Sequence, residues 1–271
     1  MERRMLNSGK RNILGVLINA VDYESAVDTI IRAAKEKRAA AVSALAVHGL
    51  MTGAMDREQR FRLNQFELLV PDGQPVRWVL NALYGAGLPD RVYGPNLTLK
   101  VCARAAEERL SVYFYGATPE ILTALRPALE KRFPGLIVVG AEPSKFRCLS
   151  PTEKVELADR IRSSGAALLF VGLGCPRQEI FAYEFREHLA LPILAVGAAF
   201  PFLAGVLPQA PVWMQNAGLE WLYRLLSEPR RLWRRYLFLN PAYVLLVIAQ
   251  ALRLSRFPTE GQAPSREFLY G

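Results

Sequence analysis

Three groups of residues in this chain are of types and spacings that could do chemistry. Asp72 stands between Pro71 and Gly73, where the apolar run 66–70 ends. A carboxylate held at the end of a strand is placed for general-base work, although Pro-Asp-Gly taken alone reads first as a turn. The second group is Gly172-Leu173-Gly174-Cys175-Pro176-Arg177-Gln178-Glu179. Backbone N–H groups left free at Gly172 and Gly174, ahead of a helix, suit an anion or a nucleotide. Arg177 could meet a phosphate and Gln178 the edge of a base or sugar. The plain alternative is a capped helix with a polar surface. Cys175 is a nucleophile by type, and a small buried thiol is the simpler reading.

The third group is the segment 218–241, which carries Trp221, Tyr223, Trp233, Tyr236 and Phe238 among Arg224, Arg230, Arg231, Arg234 and Arg235. Guanidinium groups offer forked donors that match phosphate oxygens, and aromatic rings favour the boundary between water and lipid. The segment therefore suits a phosphate-bearing ligand, an anionic membrane, or both. Otherwise it is a solvated cationic face over a buried aromatic one. Metal chemistry finds little support. His48 and His188 lie far apart, and no Asp-x-Asp pair is present to carry a divalent ion on a diphosphate. If a diphosphate binds, arginines and backbone donors must offset its charge.

Elements able to position these groups follow from the pattern of apolar residues. Residues 13–18, 40–46, 112–115, 136–139, 167–171 and 193–196 read as strands. Asp22 caps a helix with apolar residues at helical spacing. Pro119 opens another at its first position, and Ser150-Pro151-Thr152-Glu153 has the spacing of a capping box. Further helices are expected over about 97–109 and from Pro176 to about residue 189. This alternation predicts an α/β fold, a Rossmann-like and mainly parallel sheet with helices on both faces. Ligands of such sheets bind beyond the carboxyl ends of the strands.

The expected organisation is a catalytic core over 1–218, a basic amphipathic appendage over 219–255, and a polar tail over 256–271 whose composition predicts disorder. The chain has 271 residues, 51% of them hydrophobic, and a formal charge of +9. Seven arginines against Glu220 and Glu228 give residues 219–256 a charge of +5, and residues 1–11 add +3. The middle is thus nearly neutral, unlike a nucleic-acid groove, so no nucleic acid is expected. Three cysteines without a CxxC pair fit a reducing compartment. No apolar stretch follows the basic start, so no signal peptide is expected. The uncharged run 236–252 has 17 residues, short of the roughly 20 that span a bilayer. It reads as interfacial, with a shallow re-entrant insertion as the lesser alternative.

The chain resembles the WecG/TagA/CpsF glycosyltransferases (glycosyltransferase family 26) from about residue 13 to 243. The resemblance rests on Pro71-Asp72-Gly73, Arg91-Val92-Tyr93-Gly94, Val171 through Glu179, Phe200-Pro201-Phe202-Leu203-Ala204-Gly205, Ala210-Pro211-Val212-Trp213, and the run from Gly218 through Glu228-Pro229-Arg230-Arg231 to Tyr236. It implies an inverting, metal-independent enzyme without a cofactor. Such an enzyme moves N-acetylmannosamine, its uronic acid or a related hexose from UDP to a polyprenyl-diphosphate-linked saccharide. The place implied is the cytoplasmic face of the membrane, with the enzyme bound peripherally to an anionic surface and making teichoic acid, capsule or a similar polymer. A homo-oligomer is compatible with this. Asp72 falls on the family's proposed base and Gln178 on a donor-pocket residue. Ser43, Arg91 and Asn96 join Gly172, Gly174 and Arg177 as expected substrate-binding residues.

Arginines of the appendage are implied to complete the site, with Arg224, Arg231 and Arg235 on one helical face if no break intervenes. Arg230, Trp233, Arg234 and Tyr236 are then left for the membrane. The chain departs from the family where Ser43-Ala44-Leu45 replaces Thr-x-Asn, where Asn96 replaces an acid, where Gln209 replaces Arg, and where Ser144-Lys145-Phe146 stands for Gly-Tyr-Phe. The altered Ser43-Ala44-Leu45 region also motivates a rival, a nucleotide-sugar-binding regulator without turnover. A nucleic-acid-binding protein is the weakest reading.

Overall fold

The computed structural model describes residues 5–271, except for the side chains of Arg231 and Arg235. Arg3 and Arg4 of the basic start, and the placement expected for Arg231 and Arg235, lie outside the described residues. The strands are β1 (Asn7–Ile13), β2 (Val16–Val21), β3 (Ala40–Leu45), β4 (Leu68–Pro71), β5 (Ser111–Gly116), β6 (Ile137–Glu142), β7 (Leu168–Gly172) and β8 (Pro192–Ala195). Strands β3 to β8 form one sheet in the order β4-β3-β8-β7-β5-β6. Every pairing in it is parallel.

Successive residues of a strand point to opposite faces, and here both faces are buried. Val42, Val70, Val112, Phe114, Leu168, Phe170 and Leu194 join one apolar layer. Ala41, Leu69, Tyr113, Tyr115, Leu169, Val171 and Ile193 join the other. That explains why the strands read as continuous apolar runs. Several helices begin where the sequence offers a side-chain cap. The Asp22 carboxylate accepts the Ser25 N–H at 2.9 Å. Ser150 and Glu153 form a reciprocal capping box at the start of the helix Pro151–Ser163. From β3 the chain moves outward to β4, crosses to β5 and β6, and returns through β7 and β8 to the middle. The reversal opens a crevice at the carboxyl ends of the central strands.

Two expectations are corrected. The segment 13–18 is not one strand. It turns at Leu14 and Gly15, both with positive φ, into the antiparallel hairpin β1–β2. The Asn12 side chain accepts the Gly15 N–H at 2.7 Å and fixes that turn. The tail is not loose either. The side chains of Asn12 and Asn64 hold the carbonyls of Phe257 and Thr259. The Glu184 carboxylate accepts the N–H groups of Phe268 and Leu269 at 2.7 and 2.9 Å. Core polar side chains supply what the tail's own composition lacks.

Near its end the chain forms the helices Glu220–Ser227, Pro229–Arg234 and Asn240–Ala251, the last two joined by a π-helical turn at Arg235–Leu239. Glu228, with φ −135° and ψ 58°, breaks the first helix before Pro229, as the residue preceding proline tends to. One continuous helical face from Arg224 to Arg235 therefore does not exist. The Gln250 side chain accepts the Leu14 N–H and donates to the Asn12 carbonyl, at 2.9 and 2.8 Å. The Tyr243 hydroxyl donates to the Pro75 carbonyl at 3.2 Å. Among the described residues no helix is long and apolar enough to cross a membrane.

Candidate active site

A cleft of about 580 Å³ lies over the carboxyl ends of β3, β4, β5, β7 and β8. Its floor includes Asp72, which follows β4 directly. The Asp72 N–H donates to the Leu45 carbonyl at 3.3 Å, and its Oδ1 accepts the Gly94 N–H at 2.7 Å. Gly94 begins the helix Gly94–Glu107, so the carboxylate faces the positive end of a helix dipole. Pro71-Asp72-Gly73 is thus both a chain reversal and a mount for a carboxylate in a cleft. Burial is the largest influence on Asp72 and raises its pKa; Arg91, the Gly94 N–H and Arg224 oppose it, and Glu220 reinforces it. The outcome is a pKa of about 6, in the range where a carboxyl works as a base near neutrality.

Arg91 is buried. It pairs with the Glu220 carboxylate at 2.7 Å and lies 4.2 Å from the centre of the Tyr93 ring. Burial acts against its charge, but the Glu220 and Asp72 carboxylates outweigh it and raise its pKa. Arg224 also lines the cleft. Its Nε is buried and has no hydrogen-bond partner among the described residues. A buried guanidinium N–H left unbonded is costly. An anionic ligand in the cleft would satisfy it.

The other anchor is the first turn of the helix Arg177–Phe185. Gly172, Gly174, Cys175, Gln178 and Glu179 line the cleft there. The Gln178 carbonyl accepts the Gly174 N–H at 3.2 Å, and its amide donates to Glu179 Oε1 at 2.9 Å. The Ser43 hydroxyl donates to the same oxygen at 2.9 Å. Burial raises the pKa of Glu179, against the opposing bonds from Gln178, Ser43 and Cys175. Glu179 therefore orients both residues expected to meet the donor.

The expected residues do not all converge. Asp72, Gly172, Gly174, Gln178 and Arg224 share the cleft. Ser43 is fully buried below it, with its hydroxyl committed to Glu179, because it lies further back in β3 than Ala44 and Leu45, the strand-end residues that line the cleft. Arg91 acts on Asp72 from beneath. Asn96 is exposed on its helix and bonds Tyr23. Arg177 is exposed beside a smaller cavity of about 170 Å³ and lies 5.6 Å from the centre of the Tyr270 ring. Arg230, Trp233 and Arg234 are exposed and Tyr236 half-buried, with Arg234 over the Trp233 ring and Tyr236 near Trp221. Reading the sequence missed Glu220, Glu228 and Tyr93 as cleft residues. A signal existed for both glutamates, since they are the sole acids of the basic segment 219–256.

A doubly covered parallel sheet carries over its carboxyl edge a carboxylate of raised pKa and an arginine whose buried Nε has no hydrogen-bond partner among the described residues, a layout compatible with a group-transfer enzyme. Residues 11–257 match the model of the Glycosyl transferase WecG/TagA/CpsF family. The chain belongs to that family and is a glycosyltransferase.

Proposed function

We propose that the chain is an inverting, metal-independent transferase. It moves a hexose of the N-acetylmannosamine type, its uronic acid, or a related sugar from UDP to a polyprenyl-diphosphate-linked saccharide. The observation carrying this reading is the pair formed in one cleft by Asp72, with its raised pKa, and the Arg224 Nε, which is buried without a hydrogen-bond partner among the described residues. Asp72 takes the proton of the acceptor hydroxyl while that oxygen forms a bond to the anomeric carbon. The bond from that carbon to the UDP oxygen breaks on the opposite side, and UDP leaves with the bonding pair. General-base help of this kind is worth roughly 10²–10⁴-fold. Arg224 faces the charge that develops on UDP, whereas the Gly174 N–H, expected to be free, is taken by the Gln178 side chain. A preorganised donor in a water-poor site is worth about 3–4 kcal/mol.

The same reading puts the enzyme on the cytoplasmic face of the membrane. Trp233, Leu237, Phe238, Val244, Leu245, Ile248 and Leu252 are exposed large hydrophobic side chains on consecutive helical turns. With Arg230 and Arg234 beside them, they have the composition of an interfacial surface for anionic lipid. Teichoic acid or capsule synthesis is the class of pathway that would use such a product.

The experiment is a panel of UDP-sugars with a polyprenyl-diphosphate-linked acceptor in anionic vesicles, run with and without a chelator. Chelator-insensitive turnover that Asp72→Asn abolishes supports the proposal. A second reading, a nucleotide-sugar-binding regulator, draws support from Leu45, which brings an apolar side chain to the cleft. Binding of a UDP-sugar without turnover on any acceptor would favour it.

A further inference from the structure

The family match ends at residue 257, and the chain beyond it returns to the cleft. Along the way it is anchored on the core. The Ser265 N–H and hydroxyl bond the Glu58 carboxylate, Glu267 pairs with the buried Lys154 at 2.6 Å, and Glu184 holds Phe268 and Leu269. It finishes alongside the loop 144–149. The Leu149 N–H donates to the Leu269 carbonyl at 2.6 Å, and the Gly271 N–H to the Arg147 carbonyl at 3.1 Å. Cys148 and Tyr270 form an antiparallel bridge.

That loop carries Phe146 into the wall of the cleft. Phe146 is 61% exposed and has φ 54°, a left-handed conformation that L side chains disfavour. Something must hold it there, and Ser144 does. The Ser144 hydroxyl accepts the Phe146 N–H at 3.0 Å and donates to the Gly271 carbonyl at 2.7 Å. The Tyr270 ring lies under the Arg177 guanidinium at the head of the helix that begins beside Gly174. Phe146 in the cleft wall, and Arg177 beside the smaller cavity that adjoins the cleft at Phe146, Gly172 and Leu173, thus depend on one segment.

Asp72 follows β4 and Phe146 follows β6, the two edge strands of the sheet. In a nucleoside diphosphate sugar, the ribose and both phosphates separate the base from the anomeric carbon. With Asp72 at the reacting carbon, Phe146 is at the base end. An exposed aromatic ring there offers a stacking face to a flat heterocycle.

We propose that residues 258–271 are a strap that positions Phe146 and Arg177 against the base and phosphate of the donor nucleotide. This rests on the nucleotide-sugar reading above. Tyr270 and Ser144 are positioning residues, and Phe146 is the group that meets the base.

The test measures UDP affinity by calorimetry in the full chain, together with amide exchange over 144–149 and melting temperature. Tyr270→Ala and Ser144→Ala are each expected to weaken UDP about 3- to 10-fold, the loss of one or two modest contacts. Both should speed exchange in the loop, and Tyr270→Phe should keep wild-type affinity because the ring remains. A purely structural strap would lower the melting temperature and leave UDP affinity unchanged, and that result overturns the proposal. If Tyr270→Ala fails to fold, Ser144→Ala and Tyr270→Phe decide, and a loss in Tyr270→Phe equal to that in Ser144→Ala overturns it. If the wild-type chain binds no UDP, the nucleotide reading falls and the strap's role with it. If the wild type binds UDP and the variants bind equally well, the strap alone is wrong.

Discussion

Asp72 Oδ1 and the Gly94 N–H meet at 2.7 Å, which seats the carboxylate on the first turn of a 14-residue helix. That bond, Arg91 and Arg224 favour the ionised form, yet burial outweighs them and holds the pKa near 6. A base must be unprotonated, so kcat/KM is expected to fall as pH drops through about 6. The pH–rate profile of the free enzyme checks this. An acidic limb below 5 would argue against Asp72 as the titrating base.

Replacing Asp72 with Asn is expected to abolish transfer and leave UDP binding nearly intact, since Asn keeps the oxygen that accepts the Gly94 N–H. It also removes a buried charge. A carboxyl whose pKa rises from 3.8 unfolded to about 6 folded loses stability as pH climbs between those values. Above them the cost is about 3 kcal/mol, at 1.36 kcal/mol per unit. Asp72→Asn should therefore melt higher than wild type at pH 8 and show a much smaller difference at pH 4. Thermal scans at both pH values check it.

Arg224→Ala removes from the cleft a guanidinium whose buried Nε has no partner among the described residues. Turnover is expected to drop about 10²–10³-fold, the cost of losing one oxyanion donor. Because Arg224 also depresses the Asp72 pKa, the acidic limb should move to higher pH. A variant that loses rate without that displacement would separate the two roles.

Glu179 tests the second anchor. Burial raises its pKa, and Gln keeps its shape and its accepting oxygen. Glu179→Gln is expected to retain UDP-sugar affinity, because its carbonyl can accept from Ser43 and Gln178. Glu179→Ala should raise KM about tenfold or more, since two buried donors lose their acceptor. Equal KM values for the two variants would show that Glu179 does not orient Gln178.

Phe238→Glu and Leu245→Glu place charge on the exposed apolar surface. Sedimentation with anionic vesicles is expected to show at least about tenfold weaker binding, with UDP affinity in solution unchanged. Undiminished co-sedimentation would leave that surface without a lipid-binding role.

The central β/α alternation was legible because the inner strands are buried on both faces and several helices start at a side-chain cap. Ser150 and Glu153 are the clearest case. Legibility failed where partners are remote in sequence. The β1–β2 turn at Leu14 and Gly15 lacks the usual Asn-Gly pair and relies on Asn12. The tail is ordered by Glu58, Lys154 and Glu184, none of them near it in sequence. Within the site, Asp72 and Gln178 stood on rare motifs. Ser43 carried a suitable hydroxyl, and only its position in β3 shows that the hydroxyl is committed to Glu179. Glu220 was visible as an acid in a basic segment, but its partner Arg91 could not be read from the segment itself.

The helix Asn240–Ala251 is fastened at Tyr243 to the Pro75 carbonyl and at Gln250 to the β1–β2 turn. Fixed at both ends, it cannot swivel on the core. If its exposed side rests on a bilayer, the height of Asp72 above the lipid is set by the fold. The enzyme then acts as a gauge, selecting acceptors whose reactive hydroxyl stands that far from the membrane and passing over longer or shorter ones.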